Sequence, residues 1–342
     1  MKRLSVVIMM LGCLLLNAPA MAQALVDSCT GTITSVRGSR VLTREELTNT
    51  SGLTIKTQIT YAQATPIGRL QPKALCFDFY TLPSDADTLK PLVITVFGGA
   101  FVAGSRTYED MIAWCVQLAR RGYSAATIDY RLLPPSQFTT DNLIRAGYMA
   151  AQDVSTAVRY FKAHSDEYGI DTNRIFLLGN SAGSVAILHQ LYMDEDERPQ
   201  ATLEPERLPA MHAMGDSLLR RHTPDVAGAV LLWGALFDTT MVDLDERTPL
   251  CMIHGQNDKV LPITSGYAFS KKFLPIVYGS ESIATKLKAN GFNNSELHIF
   301  SGEAHAFYFK YMAMFQLGPT KFNLCLDFAL KFMNNVQLTI NN

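Results

Sequence analysis

The pattern of hydrophobic and polar positions changes character near Pro91. Before this residue, apolar and polar side chains alternate, which is typical of strands with one solvent-facing side. Thr54–Tyr61 and Leu75–Tyr80 are the clearest examples. After Pro91, short continuous apolar runs take turns with longer segments in which apolar residues recur every three or four positions. The runs predict strands that are covered on both faces, and the longer segments predict amphipathic helices.

Strands and helices alternate through most of the chain. Apolar runs predict strands at Leu92–Phe97, Ala125–Ile128, Ile175–Leu178, Val226–Leu236, Leu250–Ile253 and Leu297–Phe300. Helical spacing covers Met111–Ala119, Leu143–Phe161, Ser184–Leu191, Tyr267–Gly291 with a break near Pro275 and Gly279, and Phe322–Asn334. This alternation predicts an α/β fold with a mostly parallel central sheet of about eight strands and helices on both faces.

Residues 194–222 interrupt this alternation. The segment is polar, carries many charges and contains three prolines. A solvated insertion would fit this composition, and so would a small cap over an active site. Because loops of this length in compact domains are usually functional or disordered, we favour the cap.

The first 22 residues resemble a secretory signal peptide. Lys2 and Arg3 are followed by the apolar run Leu4–Leu16 and by the small-residue site Ala20–Ala22. The run is short for a membrane span. A buried N-terminal helix and lipoprotein processing at Cys13 are the alternatives. We therefore expect an exported protein, periplasmic or secreted, with no stable membrane span after cleavage and a single domain over residues 23–342.

Charge and cysteine content narrow the classes of partner. Without Lys2 and Arg3, 28 basic residues face 31 acidic ones and no basic cluster stands out, which argues against nucleic acid or an anionic membrane as the main partner. No cysteine pair has C-x-x-C spacing, so we expect no metal site. Cys115 and Cys251 lie in apolar patterns that predict buried thiols. Export permits a disulfide, for which Cys29–Cys76 is the first candidate among Cys29, Cys76, Cys115, Cys251 and Cys325.

Gly179–Gly183 reads G-N-S-A-G and matches the pattern G-x-S-x-G. It lies between the predicted strand Ile175–Leu178 and the predicted helix Ser184–Leu191. A serine on a sharp turn from strand to helix is held in the open, and the flanking glycines allow the turn. The pentapeptide alone is common, but this context makes Ser181 a candidate nucleophile.

Two later segments supply the groups that a serine nucleophile needs. Such a serine requires a histidine to accept its proton and an acid to orient that histidine. Asp258 lies in the turn after Leu250–Ile253, and His305 is the one histidine of seven that follows the final strand in a short loop. A turn aspartate that satisfies its own backbone and a structural histidine are the alternatives. The order Ser181, Asp258, His305 favours a catalytic triad.

A glycine-containing turn follows the first buried strand. Gly98 and Gly99 allow the backbone to direct amide groups inward, and the amides of Gly99, Ala100 and Ala182 are candidates for an oxyanion hole. A dinucleotide-binding turn is the alternative, but the G-x-G-x-x-G spacing is absent.

These segments together resemble the esterase/lipase branch of the α/β-hydrolase family, which is related to hormone-sensitive lipase and bacterial carboxylesterases. The resemblance covers roughly Pro91–Asn334 and rests on Phe97–Phe101, Asp129–Leu132, Asp171–Ile175, Gly179–Gly183, Gly255–Asp258 and Ala304–Phe307. It implies the α/β-hydrolase fold and a Ser-His-Asp esterase without metal or organic cofactor. The chain departs from the family's H-G-G-G motif, since Phe97 replaces the histidine and Ala100 the third glycine. We expect altered support of this loop rather than lost activity.

The function that these features predict is an exported serine carboxylesterase that acts through an acyl-enzyme. Short-chain acyl esters or carbohydrate-linked acetyl or feruloyl esters would be its substrates, the carbohydrate being suggested by export and by the family. A lipase, peptidase or acyltransferase on the same fold is the alternative among enzymes. A non-catalytic binding protein on a hydrolase scaffold is the alternative of another class.

Overall fold

A mostly parallel sheet of eight strands carries the fold in the computed structural model, which describes residues 40–83, 88–245, 247–310 and 316–340. The described residues form eleven strands in two sheets: β1 Thr54–Ala64, β2 Lys73–Thr81, β3 Lys90–Val96, β4 Ser124–Ile128, β5 Ile170–Asn180, β6 Gly228–Leu232, β7 Ala235–Leu236, β8 Leu250–Gly255, β9 Ser265–Tyr267, β10 Ile276–Gly279 and β11 Glu296–Phe300. The large sheet has the order β1-β2-β4-β3-β5-β6-β8-β11. Only the β1–β2 and β2–β4 pairings in it are antiparallel. The predicted sheet of about eight strands is confirmed.

Helices cover both faces of this sheet. They are α1 Arg44–Thr48, α2 Glu109–Ala119, α3 Thr140–Ala163, α4 Ser165–Tyr168, α5 Ala182–Tyr192, α6 Ser280–Ala289 and α7 Pro319–Ile340. On one face α2 packs against α7, with the rings of Trp114 and Phe322 4.8 Å apart. On the other face α3 packs against α5. The central strands between these layers are fully buried, as their continuous apolar runs predict.

The predicted helix Tyr267–Gly291 is wrong in its first half. This part of the chain forms β9 and β10, which pair with β7 in a second, three-stranded sheet. Phe269 has a φ of 54° and Ser270 a φ of 56°, values that no right-handed helix contains. The turn closes where the amide of Ala268 donates to the carbonyl of Pro275 at 2.9 Å. Helix α6 begins only at Ser280.

The predicted strand Val226–Leu236 divides into two strands. β6 ends at Leu232, and Trp233 then adopts a φ of 41° before β7 begins at Ala235. The backbone amide of Trp233 donates to the carbonyl of Ile253 at 2.7 Å. This bend directs the chain from the large sheet into the small one.

The insertion 194–222 packs along α3. Arg145 donates to the carbonyl of Ala201 at 2.7 Å, Gln152 to that of Pro209 at 2.7 Å, and Arg159 to that of His212 at 3.0 Å. Met211 and Leu219 are buried within the segment. The long polar side chains of α3 therefore satisfy the irregular backbone of the insertion. Its role as a cap stays a prediction.

Four cysteines of the described chain are buried, free thiols: Cys76, Cys115, Cys251 and Cys325. This confirms the predicted burial of Cys115 and Cys251. Cys29 and the pairing Cys29–Cys76 lie outside the described residues, as do the predicted signal peptide 1–22 and Cys13. Within the described segments, no helix combines the length and apolar character that crossing a membrane requires.

Candidate active site

Ser181 lies at the tip of a sharp turn between β5 and α5. Its φ of 50° and ψ of −120° are unfavourable for any residue with a side chain. The turn is fixed on both sides, because the amide of Ser181 donates to the carbonyl of Leu232 at 2.9 Å and the amide of Val185 to the carbonyl of Ser181 at 3.0 Å. The predicted strand–turn–helix context is thus present around the candidate nucleophile.

The two glycines of G-N-S-A-G are required by close packing. A methyl group on Gly183 would lie 2.1 Å from the carbonyl oxygen of Val96 in β3. A methyl group on Gly179 would lie 2.7 Å from backbone atoms of Gly183 and Ser184. Real carbon atoms do not approach so closely, so any larger residue would push α5 away from the sheet and move Ser181.

The structure brings Ser181, His305 and Asp258 together. The hydroxyl oxygen Oγ of Ser181 lies 2.8 Å from Nε2 of His305, and Nδ1 of His305 lies 2.6 Å from Oδ2 of Asp258. The His305 side chain is only 5% exposed and that of Asp258 is fully covered, whereas Ser181 is partly accessible. The arrangement can pass a proton from the serine hydroxyl to the imidazole and stabilise the resulting imidazolium.

Asp258 is held in its ionised form by several donors. Its Oδ1 accepts from the amides of Val260 at 2.8 Å and Leu261 at 3.0 Å. Burial alone would raise the pKa of this carboxyl, but His305 and His254 outweigh burial and hold the pKa of Asp258 well below its ordinary range. These two backbone contacts are the ones expected of a turn aspartate, which was the alternative interpretation of the sequence. Asp258 makes them in addition to its contact with His305.

His254 is a second histidine on the same carboxylate. Its Nε2 lies 3.2 Å from Oδ2 of Asp258 and 2.9 Å from the carbonyl of Leu261, while its Nδ1 lies 2.8 Å from Oγ of Ser280 in α6. The ring is fully buried. His254 and His305 thus contact the same carboxylate oxygen, Oδ2 of Asp258. Its position four residues before Asp258 is the only sequence signal for this contact.

The candidate oxyanion loop lies against the nucleophile. A methyl group on Gly98 would be 3.0 Å from Cβ of Ser181, which places the turn directly beside it. Gly99 has a φ of 135° and Ala100 a φ of 54°, so the backbone turns sharply here. Ala182 is the first residue of α5, at the helix end where amides lack helical acceptors. Within the described residues, no backbone carbonyl accepts from the amides of Gly99, Ala100 or Ala182.

Phe97 supports this loop where the family motif has histidine. Its ring stacks on Tyr130 with the centroids 4.3 Å apart, and the hydroxyl of Tyr130 donates to the carbonyl of Phe97 at 2.9 Å. A methyl group on Gly104 would meet the Phe97 ring at 2.3 Å, so the loop closes tightly over the ring. Aromatic packing supports the loop at this position.

Trp233 packs against the loop that carries His305. The sequence did not predict this contact. Its buried ring meets His305, Phe307 and Tyr308 edge-on, with centroids 6.0, 5.0 and 4.9 Å apart. Trp233 precedes His305 by 72 positions in a segment with no motif of its own. Nothing in the local sequence indicates its role, which arises from the bend between β6 and β7.

One group of side chains in the described chain could offer ligand atoms to a metal ion. The atoms of Cys251, Glu296 and His298 lie within 4.8 Å of one another at the β8–β11 edge. His298 already contacts Glu296 at 3.1 Å and stacks on Phe328, with centroids 3.9 Å apart. None of the three contacts Ser181, His305 or Asp258, and the absence of a metal or cofactor requirement stays a prediction.

The chain is similar in sequence to several proteins named as esterases. The BD-FAE family model matches residues 77–207. The isoprenylcysteine alpha-carbonyl methylesterase of Arabidopsis thaliana is 36% identical over 107 residues, which are 31% of this chain and 22% of that protein. The acetyl esterase of Salmonella schwarzengrund is 24% identical over 243 residues, 66% of this chain and 68% of that protein. This chain thus spans about a fifth of the first relative's length.

A solved structure shares the fold. Thermogutta terrifontis esterase 2 phosphorylated by paraoxon superimposes with a TM-score of 0.57 at 19% identity, covering 84% of this chain and 95% of that one. Its identity is too low to carry more than the architecture, which is the α/β-hydrolase fold. The fold predicted from the sequence is confirmed.

Proposed function

We propose that the chain is an exported serine carboxylesterase of the esterase/lipase branch of the α/β-hydrolase family. One observation carries the proposal. Ser181, His305 and Asp258 form a continuous hydrogen-bonded series at the carboxyl ends of β5, β11 and β8, with 2.8 Å and 2.6 Å between the heavy atoms. This is the arrangement that acyl transfer through a serine requires.

The first half of the reaction forms an acyl-enzyme. Nε2 of His305 takes the hydroxyl proton of Ser181 while Oγ bonds to the ester carbonyl carbon. The electron pair of the carbonyl double bond moves to its oxygen, where the amides of Gly99, Ala100 and Ala182 stabilise the charge. Each such donor lowers the barrier by roughly 3 kcal/mol. When the double bond re-forms, the alcohol leaves with the proton from His305.

The second half of the reaction releases the acid. Water enters, gives its proton to Nε2 of His305 and attacks the acyl carbon of the Ser181 ester. The tetrahedral intermediate collapses, and the proton on His305 returns to Oγ of Ser181. Asp258 accepts a hydrogen bond from Nδ1 throughout, so that Nε2 stays available as the base.

Short acyl chains are the proposed substrates, including acetyl or feruloyl groups on carbohydrate. The relative named acetyl esterase supports a small acyl group. The Lys2, Arg3, Leu4–Leu16 and Ala20–Ala22 pattern supports export, which would bring the enzyme to esters outside the cytoplasm.

Hydrolysis of p-nitrophenyl acetate, butyrate and octanoate by the purified protein tests this function. We expect turnover that falls with chain length, and a loss of at least about 10³-fold in Ser181→Ala. Ser51→Ala is the matched control and should retain full activity, because Ser51 is exposed and precedes β1, which lies four positions from β5 in the sheet.

Labelling distinguishes the ways in which the test can fail. A fluorophosphonate should modify Ser181 alone. An active Ser181→Ala variant, or a protein that is inert both to esters and to the fluorophosphonate, would exclude the proposed reaction. A labelled protein that is inert to all three esters would instead exclude short simple esters as substrates.

A further inference from the structure

A buried carboxylate links three segments of the candidate active site. Asp110 lies in the first turn of α2, shortly after the loop that carries Gly99 and Ala100. Its Oδ2 accepts from Nδ2 of Asn180 at 2.6 Å and from the hydroxyl of Tyr308 at 3.0 Å. Asn180 directly precedes Ser181, and Tyr308 follows His305 by three residues. One oxygen atom therefore contacts the nucleophile turn and the histidine loop at once.

The three side chains form a closed network away from water. Asp110 is 1% exposed, Tyr308 is fully buried and Asn180 is 5% exposed. Nδ2 of Asn180 also donates to the Tyr308 hydroxyl at 3.2 Å, so each group contacts both of the others. The Tyr308 ring in turn packs against Trp233, which contacts His305. The network thus adjoins Ser181 directly through Asn180 and reaches His305 through Trp233.

The network is costly to bury. Burial raises the pKa of Asp110 to about 6, against hydrogen bonds from Tyr308, Asn180 and two backbone amides that act in the opposite direction. An apolar cluster would fill the same space without this cost. Oδ1 of Asn180 is buried and has no hydrogen-bond partner among the described residues, and it faces Gly98 of the candidate oxyanion loop. The network therefore also borders the candidate oxyanion loop.

We propose that Asp110 is a positioning residue that holds Asn180 and Tyr308, and through them sets the distance between Ser181 and His305 for proton transfer. The proposal rests on the proposed esterase function. Ser181 has an unfavourable backbone conformation that its surroundings must impose. Displacement of a reacting group by about 1 Å can cost on the order of 100-fold in rate. A carboxylate bonded to both loops is suited to prevent this displacement.

Kinetics of Asp110→Asn, Tyr308→Phe and the double variant test the proposal. The variants retain the size of each side chain and change only its hydrogen bonding. With active protein counted by fluorophosphonate titration, we expect kcat for p-nitrophenyl acetate to fall roughly 10- to 100-fold per labelled site, with KM within about threefold of its original value. The double variant should lose little more than the worse single variant, because both changes break one network.

Tyr123→Phe is the matched control. Tyr123 is also buried and its hydroxyl donates to Asn334 at 3.0 Å and accepts from Gln337 at 2.8 Å, but it contacts none of the active-site loops in these bonds. Its loss should lower stability and leave kcat per labelled site unchanged. This separates a general effect of removing a buried hydroxyl from an effect on the reaction.

Three results would overturn the positioning role. They are an unchanged kcat per labelled site in Tyr308→Phe, a loss explained entirely by fewer labelled sites, and losses in the two single variants that simply multiply in the double variant. Tyr308→Phe decides the question if Asp110→Asn fails to fold. Failure of the proposed function would look different, since the unaltered protein would then neither turn over esters nor take the label at Ser181.

Discussion

At the scale of single residues, the site depends on side chains whose conformations are imposed by distant neighbours. Ser181 keeps a φ of 50° because β6 and α5 bond its amide and carbonyl. Asp258 stays ionised although it is buried, because two histidines and two amides face its oxygens. The backbone conformation of Ser181 and the charge of Asp258 thus both depend on these contacts.

The sequence reveals some of these residues and not others. Ser181, Asp258 and His305 were predictable because each lies in a local pattern of strand followed by turn. Asp110 and Tyr308 were not, because their contact joins positions 198 apart in the chain and neither belongs to a motif. The same holds for Trp233, whose side chain matters only through the packing of the folded protein.

His189 gives a prediction for stability against pH. The ring is buried in α5, with Nδ1 2.7 Å from the carbonyl of Val185 and Nε2 accepting from the amide of Phe237 at 3.2 Å. The neutral ring thus uses both of its nitrogens in hydrogen bonds, Nδ1 as the donor and Nε2 as the acceptor. Burial lowers the pKa of His189 to about 4, against 6.5 for the unfolded chain. The unfolded chain therefore binds more protons between these values, so stability rises with pH through this window and is fully present above it.

Urea unfolding at pH 7 and pH 5 measures this contribution. His189 should account for about 2 kcal/mol of the stability that the protein loses between the two pH values. In His189→Gln the pH-dependent loss should be smaller by that amount, whatever the variant's stability at pH 7. An identical loss in both proteins would show that His189 is not held neutral.

At the scale of elements, the prediction succeeded where one periodicity dominated. The central strands were found because both faces are covered, which makes them continuously apolar. The helix predicted from Tyr267 to Gly279 was wrong, because the spacing of apolar residues there suits a helix. Pro275 and the positive φ of Phe269 and Ser270 instead require a turn. Pairing with β7, which supplies the missing partner, is not visible in the local sequence.

A buried ion pair joins the end of β4 to α3. The guanidinium nitrogen Nη2 of Arg131 lies 2.7 Å from Oδ1 of Asp153, and the amide of Arg131 donates to Oδ2 at 2.7 Å. The same guanidinium reaches Sδ of Met214, in the insertion, at 3.1 Å. The pair therefore fixes the Asp129–Leu132 segment, α3 and the insertion relative to one another.

Breaking this pair should be costly. Asp153→Ala leaves the Arg131 charge buried without its partner and should lower the free energy of unfolding by roughly 3–5 kcal/mol in urea titrations. Asp171→Ala is the matched control, since it breaks the partly exposed pair Asp171–Arg174 and should cost at most about 1 kcal/mol. Equal losses in the two variants would contradict this account.

At the scale of the whole molecule, the sheet topology assembles the site. β5, β8 and β11 run parallel, so their carboxyl ends lie at one edge although Ser181, Asp258 and His305 are far apart in sequence. The order of motifs along the chain was enough to predict this arrangement. The packing of the insertion 194–222 along α3 and the β9–β10 pairing were not predictable, because both depend on tertiary contacts.

The most direct test of the account is to trap the acyl-enzyme. The protein is mixed with p-nitrophenyl acetate, quenched in acid during turnover, digested, and the peptides are weighed by mass spectrometry. We expect the peptide that contains Gly179–Gly183 to gain the mass of one acetyl group at Ser181, and Asp258→Asn to slow formation of this adduct by roughly 10³–10⁴-fold. Turnover without an adduct on Ser181, or an acetyl group that accumulates on another residue during turnover, would contradict the assignment of Ser181 as the nucleophile.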